Sequence, residues 1–359
     1  MRKVYHILLL CLLGVLSCQA QETAVKSTDD HIHYMGRVDI QADKAVLAWS
    51  GTSVKINFNG TGAKAVMQDE RGDNYYNVIV DGKLSQKIHL DAAKKEYTLT
   101  ENLPSGKHSL ELFKLTEWAH GKTWLYGFNL NGDAKLLAAP ATRKRKIEFF
   151  GNSITCGYAV LDTTGQDRGS APYEDNFKSY AAITARHFDA EYHCTARSGI
   201  GVMVSWFPLI MPEMYNRLDA NDSNSNWDFT KFTPDVVVIN LFQNDAALVN
   251  RPEHEQFKAR FGTTKPTASY IIKAYENFVT TIRSKYPKAQ IICALGSMDA
   301  SRVNAPWSGY IKQAVSNLND KKIHSLIFPA KNTPGHPSAK EQQDMANQLI
   351  GFIDKTVRW

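Results

Sequence analysis

Two periodicities divide the chain. From about His31 to Gly132, short segments alternate polar and apolar residues with period two and stop at turn dipeptides. Ser53-Val54-Lys55-Ile56-Asn57-Phe58 alternates and ends in Asn59-Gly60, and Asn77-Val78-Ile79-Val80 runs into Asp81-Gly82, a two-residue hairpin signal. Further strands are expected at Glu96–Thr100, Ser109–Leu115 and Trp124–Leu130, the last closed by Asn131-Gly132. No helical period intervenes, so this half reads as an all-β, jelly-roll-like sandwich of about eight strands.

Beyond Pro140 the grammar changes, because apolar runs alternate with amphipathic segments. Strands are expected at Ile147–Phe150, Glu191–Ala196, Val236–Leu241, Gln290–Leu295 and Ile323–Phe328. Val236-Val237-Val238-Ile239 lacks polar alternation, as a strand covered on both faces does. Helices are expected at Asp175–Phe188, Ser269–Ser284, Trp307–Leu318 and from Ser338 to about Lys355. The last opens with a capping box, Ser338-x-x-Glu341, and buries Met345, Leu349, Phe352 and Ile353. This half is therefore α/β, three layers built on a parallel sheet. The expected boundaries are 1–20 for a signal peptide, 21–138 for the sandwich and 143–359 for the α/β domain, with a short linker at about 133–142.

Composition narrows the class. A chain of 359 residues has room for two cores, and 43% hydrophobic with 22% charged residues excludes collagen-like, disordered and coiled-coil readings. The formal charge of +6 includes Arg2 and Lys3, and the densest basic run, Arg143 to Lys146, reads as a solvated linker. Nucleic acid is not an expected partner. Arg2-Lys3 followed by apolar Val4–Leu16 has the form of a secretory signal, too short for a membrane span. Val15-Leu16-Ser17-Cys18 resembles a lipobox that would lipidate Cys18, whereas Cys18-Gln19-Ala20 fits ordinary cleavage; the lipoprotein is favoured. The expected location is extracytoplasmic: periplasmic, anchored to the outer membrane, or secreted. No other window is apolar enough for a transmembrane span. Of five Cys, Cys11 and Cys18 fall in or beside the signal, and Cys156, Cys194 and Cys293 read as small buried hydrophobes. His31-Ile32-His33 puts two imidazoles on one strand face, an isolated pair that does not make a metal site; neither metal nor cofactor is expected.

In open parallel sheets, ligand groups gather beyond the carboxyl ends of the strands. Phe149-Phe150-Gly151-Asn152-Ser153-Ile154-Thr155 puts Ser153 on a tight turn after the first strand. Ala196-Arg197-Ser198-Gly199-Ile200-Gly201 follows the second, its glycines allowing a backbone N–H to face a pocket. Asn240-Leu241-Phe242-Gln243-Asn244-Asp245 follows the third and offers the Asn244 amide. Thr333-Pro334-Gly335-His336-Pro337 follows the last and leads into the capped helix. Taken singly, Ser153 is a turn serine, His336 a helix cap and Asn244 a partner for loop backbone; as an ordered set they point to a site. Asp245 is expected to hold loop amides. Trp118 and Trp124 read as sandwich core or rim, and core packing is favoured for Trp206 and Trp307.

The ordered Ser, Gly, Asn and His blocks resemble the SGNH (GDSL-type) hydrolase superfamily, a flavodoxin-like fold. With a sandwich in front and the stretch Leu112-Phe113-Lys114-Leu115-Thr116-Glu117, the chain is similar to carbohydrate esterase family 2, acetyl esterases acting on plant polysaccharides. That resemblance implies cofactor-free acyl transfer, with Ser153 as nucleophile and His336 as its base. It also implies an oxyanion hole made by the N–H groups of Ser153 and Gly199 and by the Asn244 side chain, with Gly201 as the alternative backbone donor. The implied partner is an acetylated carbohydrate of xylan or mannan type, on which Trp307 is a candidate for stacking. Three positions depart from the pattern. The Asp expected three residues before the His is Thr333, which predicts either a Ser-His dyad held by a backbone carbonyl, the favoured reading, or a substitute carboxylate such as Asp299. Phe242 stands where Gly is usual, and Gly335 where the esterase family often has an aromatic. Two alternatives remain open: an esterase acting on a lipid or a bacterial wall glycan, and a glycan-binding protein with a degenerate hydrolase domain.

Overall fold

The computed structural model describes residues 22–132 and 134–359. The expected signal peptide and Cys18 lie outside the described residues. Among the described residues the sandwich has twelve strands rather than about eight, in two six-stranded antiparallel sheets. Those not anticipated have weak signatures. Lys83–His89 is an edge strand with only Ile88 buried, and Ala63–Asp69 alternates through small alanines. Asp81 and Gly82 both have positive φ, 51° and 74°, as a two-residue turn between right-twisted strands requires. Asn59 and Gly60 instead remain within Ser53–Gly60. Ile56 and Phe58 from one sheet meet Met67, Leu125 and Phe128 from the other in the sandwich core.

The second half forms a five-stranded parallel sheet from β1 (Arg145–Gly151), β2 (Ala190–Ala196), β3 (Val236–Asn240), β4 (Gln290–Leu295) and β5 (Ile323–Ile327), in the order β2-β1-β3-β4-β5. Its covering helices are α1 (Tyr180–His187), α2 (Ala268–Lys285), α3 (Trp307–Leu318) and α4 (Ala339–Thr356). Val237, Ile239 and Ile291 share one apolar core with Phe278 and Val279 of α2 and Ile311 of α3. Val236, Val238 and Ile292 share the other with Ala181 of α1 and Met345 and Leu349 of α4. Cover on both faces is why Val236 to Ile239 shows no alternation. The Ser338–Glu341 capping box forms as expected. Helix α1 starts at Tyr180, later than expected, because Ser179 caps it and Asn176 turns its amide toward the Thr155 and Cys156 carbonyls.

The two halves are joined by buried polar side chains of the sandwich. Arg37, 2% exposed, pairs with Glu148 on β1 at 2.8 Å and donates to the carbonyls of Tyr215 and Arg217. Trp49 Nε1 donates to Leu218 O. The His31/His33 pair divides: His31 bonds Asp29, and His33 reaches Glu191 of β2 at 3.2 Å. No helix among the described residues is long and apolar enough to cross a membrane.

Candidate active site

The strand order explains why distant blocks meet. β1 lies between β2 and β3, so the turns leaving these three strands share one corner of the sheet. After β1, Asn152 caps the short turn Ser153–Cys156 by accepting from Ile154 N at 3.1 Å. Ser153, 6% exposed, takes the first position of that turn, where a backbone N–H has no intrahelical acceptor. After β2, Gly199 turns with φ +81°; after β3, Asn244 sits on the short helix Gln243–Leu248. The His block leaves β5 at the far edge and travels back across the strand ends, tied by Lys331 N to Ser297 O at 2.7 Å. Helix α4 then docks beside the Ser153 turn, where Gln342 Nε2 donates to Ile154 O at 2.9 Å.

These routes converge at Ser153. His336 Nε2 lies 2.8 Å from Ser153 Oγ, and His336 Nδ1 lies 2.8 and 2.9 Å from the two carboxylate oxygens of Asp167. Asp167 Oδ1 also accepts the His336 backbone N–H at 2.7 Å. With Asp167 accepting the hydrogen bond from Nδ1–H, Nε2 is left to accept from the Ser153 hydroxyl. The favoured reading, a dyad held by a backbone carbonyl, is corrected by this carboxylate, and the other reading holds with Asp167 rather than Asp299 as the substitute acid. No backbone carbonyl holds the ring among the described residues, and Asp299 is an exposed partner of Arg302. Thr333 itself faces Glu341.

Asp167 comes from the irregular segment between β1 and α1, where it adopts a left-handed φ of +59°. Asp162 braces that segment, accepting from Arg168 N and from the Arg168 guanidinium, both at 2.8 Å. Gly335 gives Asp167 its room: a Cβ there would stand 2.9 Å from the Asp167 carboxyl, and Gly335 has φ +67° besides. The glycine that departs from the family pattern and the aspartate that replaces the family's acid are thus one arrangement. Burial raises the Asp167 pKa, but the hydrogen bonds and charge of His336, with Lys331, outweigh it and hold the carboxyl below its ordinary range.

The oxyanion candidates face the same corner. Gly199 N–H has no partner among the described residues, whereas Gly201 N–H is committed to Ser205 Oγ at 2.9 Å, which favours Gly199. Asn244 Nδ2 donates one proton to Ile200 O at 2.8 Å, and its Oδ1 accepts from Trp206 Nε1 at 2.9 Å. Because an indole N–H only donates and a carbonyl only accepts, this pair fixes the amide with its second N–H available. Asp245 holds loop amides as expected, accepting from Val202, Met203 and Val204. Phe242 has φ +84°, the left-handed conformation that makes Gly usual there, and is retained by burial against Tyr275 and Trp307.

Ser153, His336 and Asn244 open into a cleft of about 510 Å³, within the size range of small-molecule sites. Trp206, expected in the core, is instead 38% exposed at this cleft. Trp307 also lines it but is 5% exposed, its ring packed edge-on against Phe242 at 5.1 Å.

A hydroxyl, imidazole and carboxylate in series beside unengaged N–H donors can transfer an acyl group from an ester. This is the arrangement of the GDSL-like lipase/acylhydrolase family, and a family model so described matches residues 149–349. A second, described as carbohydrate esterase 2 N-terminal, matches residues 34–140. A family two carbohydrate esterase from Clostridium thermocellum, solved with cellohexaose, is 34% identical with TM-score 0.80, over 90% of this chain and 98% of that one. The chain belongs to carbohydrate esterase family 2 and is a carboxylic ester hydrolase.

Other relatives agree. A family two carbohydrate esterase from Cellvibrio japonicus superposes with TM-score 0.82 at 25% identity, over 94% of this chain and 98% of that one. A cellulase/esterase of Acetivibrio thermocellus is 34% identical over 91% of this chain, which spans 40% of that protein's length. An acetylxylan esterase / glucomannan deacetylase of Cellvibrio japonicus is 27% identical over the full length of both chains.

Proposed function

We propose that this protein is a carbohydrate O-acetyl esterase that removes acetyl groups from plant polysaccharide of the xylan or mannan type. The observation that carries this reading is the hydrogen-bonded series from Ser153 through His336 to Asp167, set in an open cleft. The Cellvibrio relatives matched along nearly their whole length, each an acetylxylan esterase / glucomannan deacetylase, support the substrate class.

In the first half-reaction Ser153 Oγ attacks the acetyl carbonyl carbon as its proton passes to His336 Nε2. The oxyanion is received by the N–H groups of Ser153 and Gly199 and by Asn244 Nδ2. Collapse breaks the bond to the sugar oxygen, which takes the proton from His336. Water then attacks the acetyl-Ser153 ester and gives a proton to His336; acetate departs and Ser153 Oγ recovers its hydrogen. Asp167 keeps the imidazole in the required tautomer and balances its charge when protonated. Trp206 and Trp307 line the same cleft.

Asn244→Ala is expected to lower kcat for 4-nitrophenyl acetate by about 10²–10³-fold with little change in KM, because one oxyanion donor is lost. A kcat within about threefold of wild type would remove Asn244 from the mechanism. The glycan-binding alternative rested on the missing acid at Thr333, and Asp167 takes away that support. We further read the chain as exported and tethered through Cys18; fatty-acid labelling in a bacterial host that persists in Cys18→Ala would refute the tether.

A further inference from the structure

The sandwich reaches the catalytic corner through the loop that follows its strand Gly106–Lys114. Lys114, fully buried, donates from Nζ to Asn74 Oδ1 at 2.6 Å and to Thr116 O at 2.7 Å, which pins the loop from inside the sandwich. Leu115 O accepts from Asn176 N at 2.9 Å, and Asn176 Nδ2 donates to the carbonyls of Thr155 and Cys156 at the end of the Ser153 turn. Glu117, 2% exposed, extends furthest. Its Oε2 accepts the Ser198 N–H at 2.8 Å and lies 3.7 Å from Cys156 Sγ, while its own N–H donates to Glu174 Oε1 at 2.9 Å.

The peptide between Ser198 and Gly199 carries the N–H assigned above to the oxyanion. Its orientation is set through the flanking peptides: Glu117 accepts the Ser198 N–H, Ile200 N–H donates to Arg197 O at 3.3 Å to close the turn, and Gly199 C=O accepts from Trp206 N at 3.0 Å. Gly199, at φ +81°, has the widest backbone freedom of any residue type, so losing one of these bonds lets the N–H swing off target. A donor contributes to catalysis only while it is held in place before charge develops.

We propose that Glu117 is a positioning residue of the esterase, a carboxylate from the sandwich that fixes the oxyanion-donor peptide of the other domain. The proposal rests on the esterase reading above. It also gives the sandwich a role in the chemistry that requires no glycan binding by the sandwich itself.

The test compares Glu117→Met, which fills similar volume and accepts nothing at that position, with Glu117→Gln, whose amide oxygen can still accept from Ser198 N–H. Kinetics on 4-nitrophenyl acetate and thermal melts are measured for both in the full chain. Glu117→Met should lose about 10- to 100-fold in kcat with KM within about threefold, and Glu117→Gln should return to within about threefold of wild type. Gly199 and Asn244 serve the same oxyanion, so Glu117→Met combined with Asn244→Ala should lose less than the product of the single losses. A folded Glu117→Met with kcat near wild type, a Gln variant no better than Met, or strictly multiplicative losses would each overturn the proposal. If Glu117→Met does not melt cooperatively, the Gln variant decides with Asn244→Ala: a folded Gln variant that loses more than about tenfold also overturns it. Wild type inactive on every ester would sink the esterase reading itself, a result distinct from all of these.

Discussion

Ser153→Ala is expected to lower kcat for acetate release from acetylated xylan by about 10⁴–10⁶-fold while KM stays within about threefold. The hydroxyl oxygen is the atom to which the acetyl group is transferred, and among the described residues no other side-chain oxygen is hydrogen-bonded to His336 Nε2. Substrate contacts along the cleft are untouched by removing one oxygen from a side chain that is 6% exposed. His336→Ala should lose a comparable amount, and the double variant little more, since nucleophile and base act as a unit. The measurement is acetate release by wild type and variants from acetylated xylan, acetylated glucomannan and 4-nitrophenyl acetate, with melting curves to show that each is folded. A Ser153→Ala protein retaining a tenth of wild-type activity would rule out the acyl-enzyme route. Wild-type turnover of 4-nitrophenyl acetate but of neither polymer would leave an esterase and remove the proposed substrate.

Asp167→Asn is expected to lower kcat by about 10²–10⁴-fold. Both carboxylate oxygens lie against His336 Nδ1, and one also accepts the His336 backbone N–H. An amide that keeps its oxygen on the backbone N–H turns its own N–H toward the ring, which opposes the Nδ1–H tautomer and removes the balancing charge. Thr333→Asp in the same background restores an acid at the position where the resemblance places one, and should recover at least about tenfold. Failure of that rescue, with Asp167→Asn near wild type, would return the enzyme to a dyad. The pH dependence has a definite sign. Because the Asp167 pKa is depressed in the folded protein, its charge is present at and above the ordinary carboxylate range and is lost as pH falls through the depressed value. The ratio of wild-type to Asp167→Asn kcat should therefore stay constant down to the ordinary Asp range, about pH 4, and shrink only as pH falls below it.

The Ser, Gly, Asn and His blocks were legible because each lies between an apolar strand and the next helix, and a parallel sheet collects such connections at one edge. The acid was not legible. Asp167 lies in a segment with no period, held by the Asp162–Arg168 contacts and admitted by the missing Cβ of Gly335. A glycine two residues beyond Thr333 was the available signal, and it acquires meaning only once the loop from β1 is seen to fill its space. Trp206 was misplaced for a related reason. An indole near a site reads as core until its neighbours are known, and here its N–H is directed to Asn244 Oδ1, Arg251 lies over the ring, and the residue stays 38% exposed.

Strand alternation, the unbroken apolar run of β3 and the capping box of α4 were written into the sequence because each is a local consequence of which side chains must be buried or capped. From these follow the sandwich, the parallel sheet and the corner where the four blocks meet. Tertiary structure alone decided that Asp167 holds His336, that Gly199 rather than Gly201 keeps a free N–H, and that Glu117 of the sandwich ties down Ser198. Each of these is a hydrogen bond involving an irregular loop, and such a bond depends on where separate segments arrive in space, which no periodic pattern along the chain encodes.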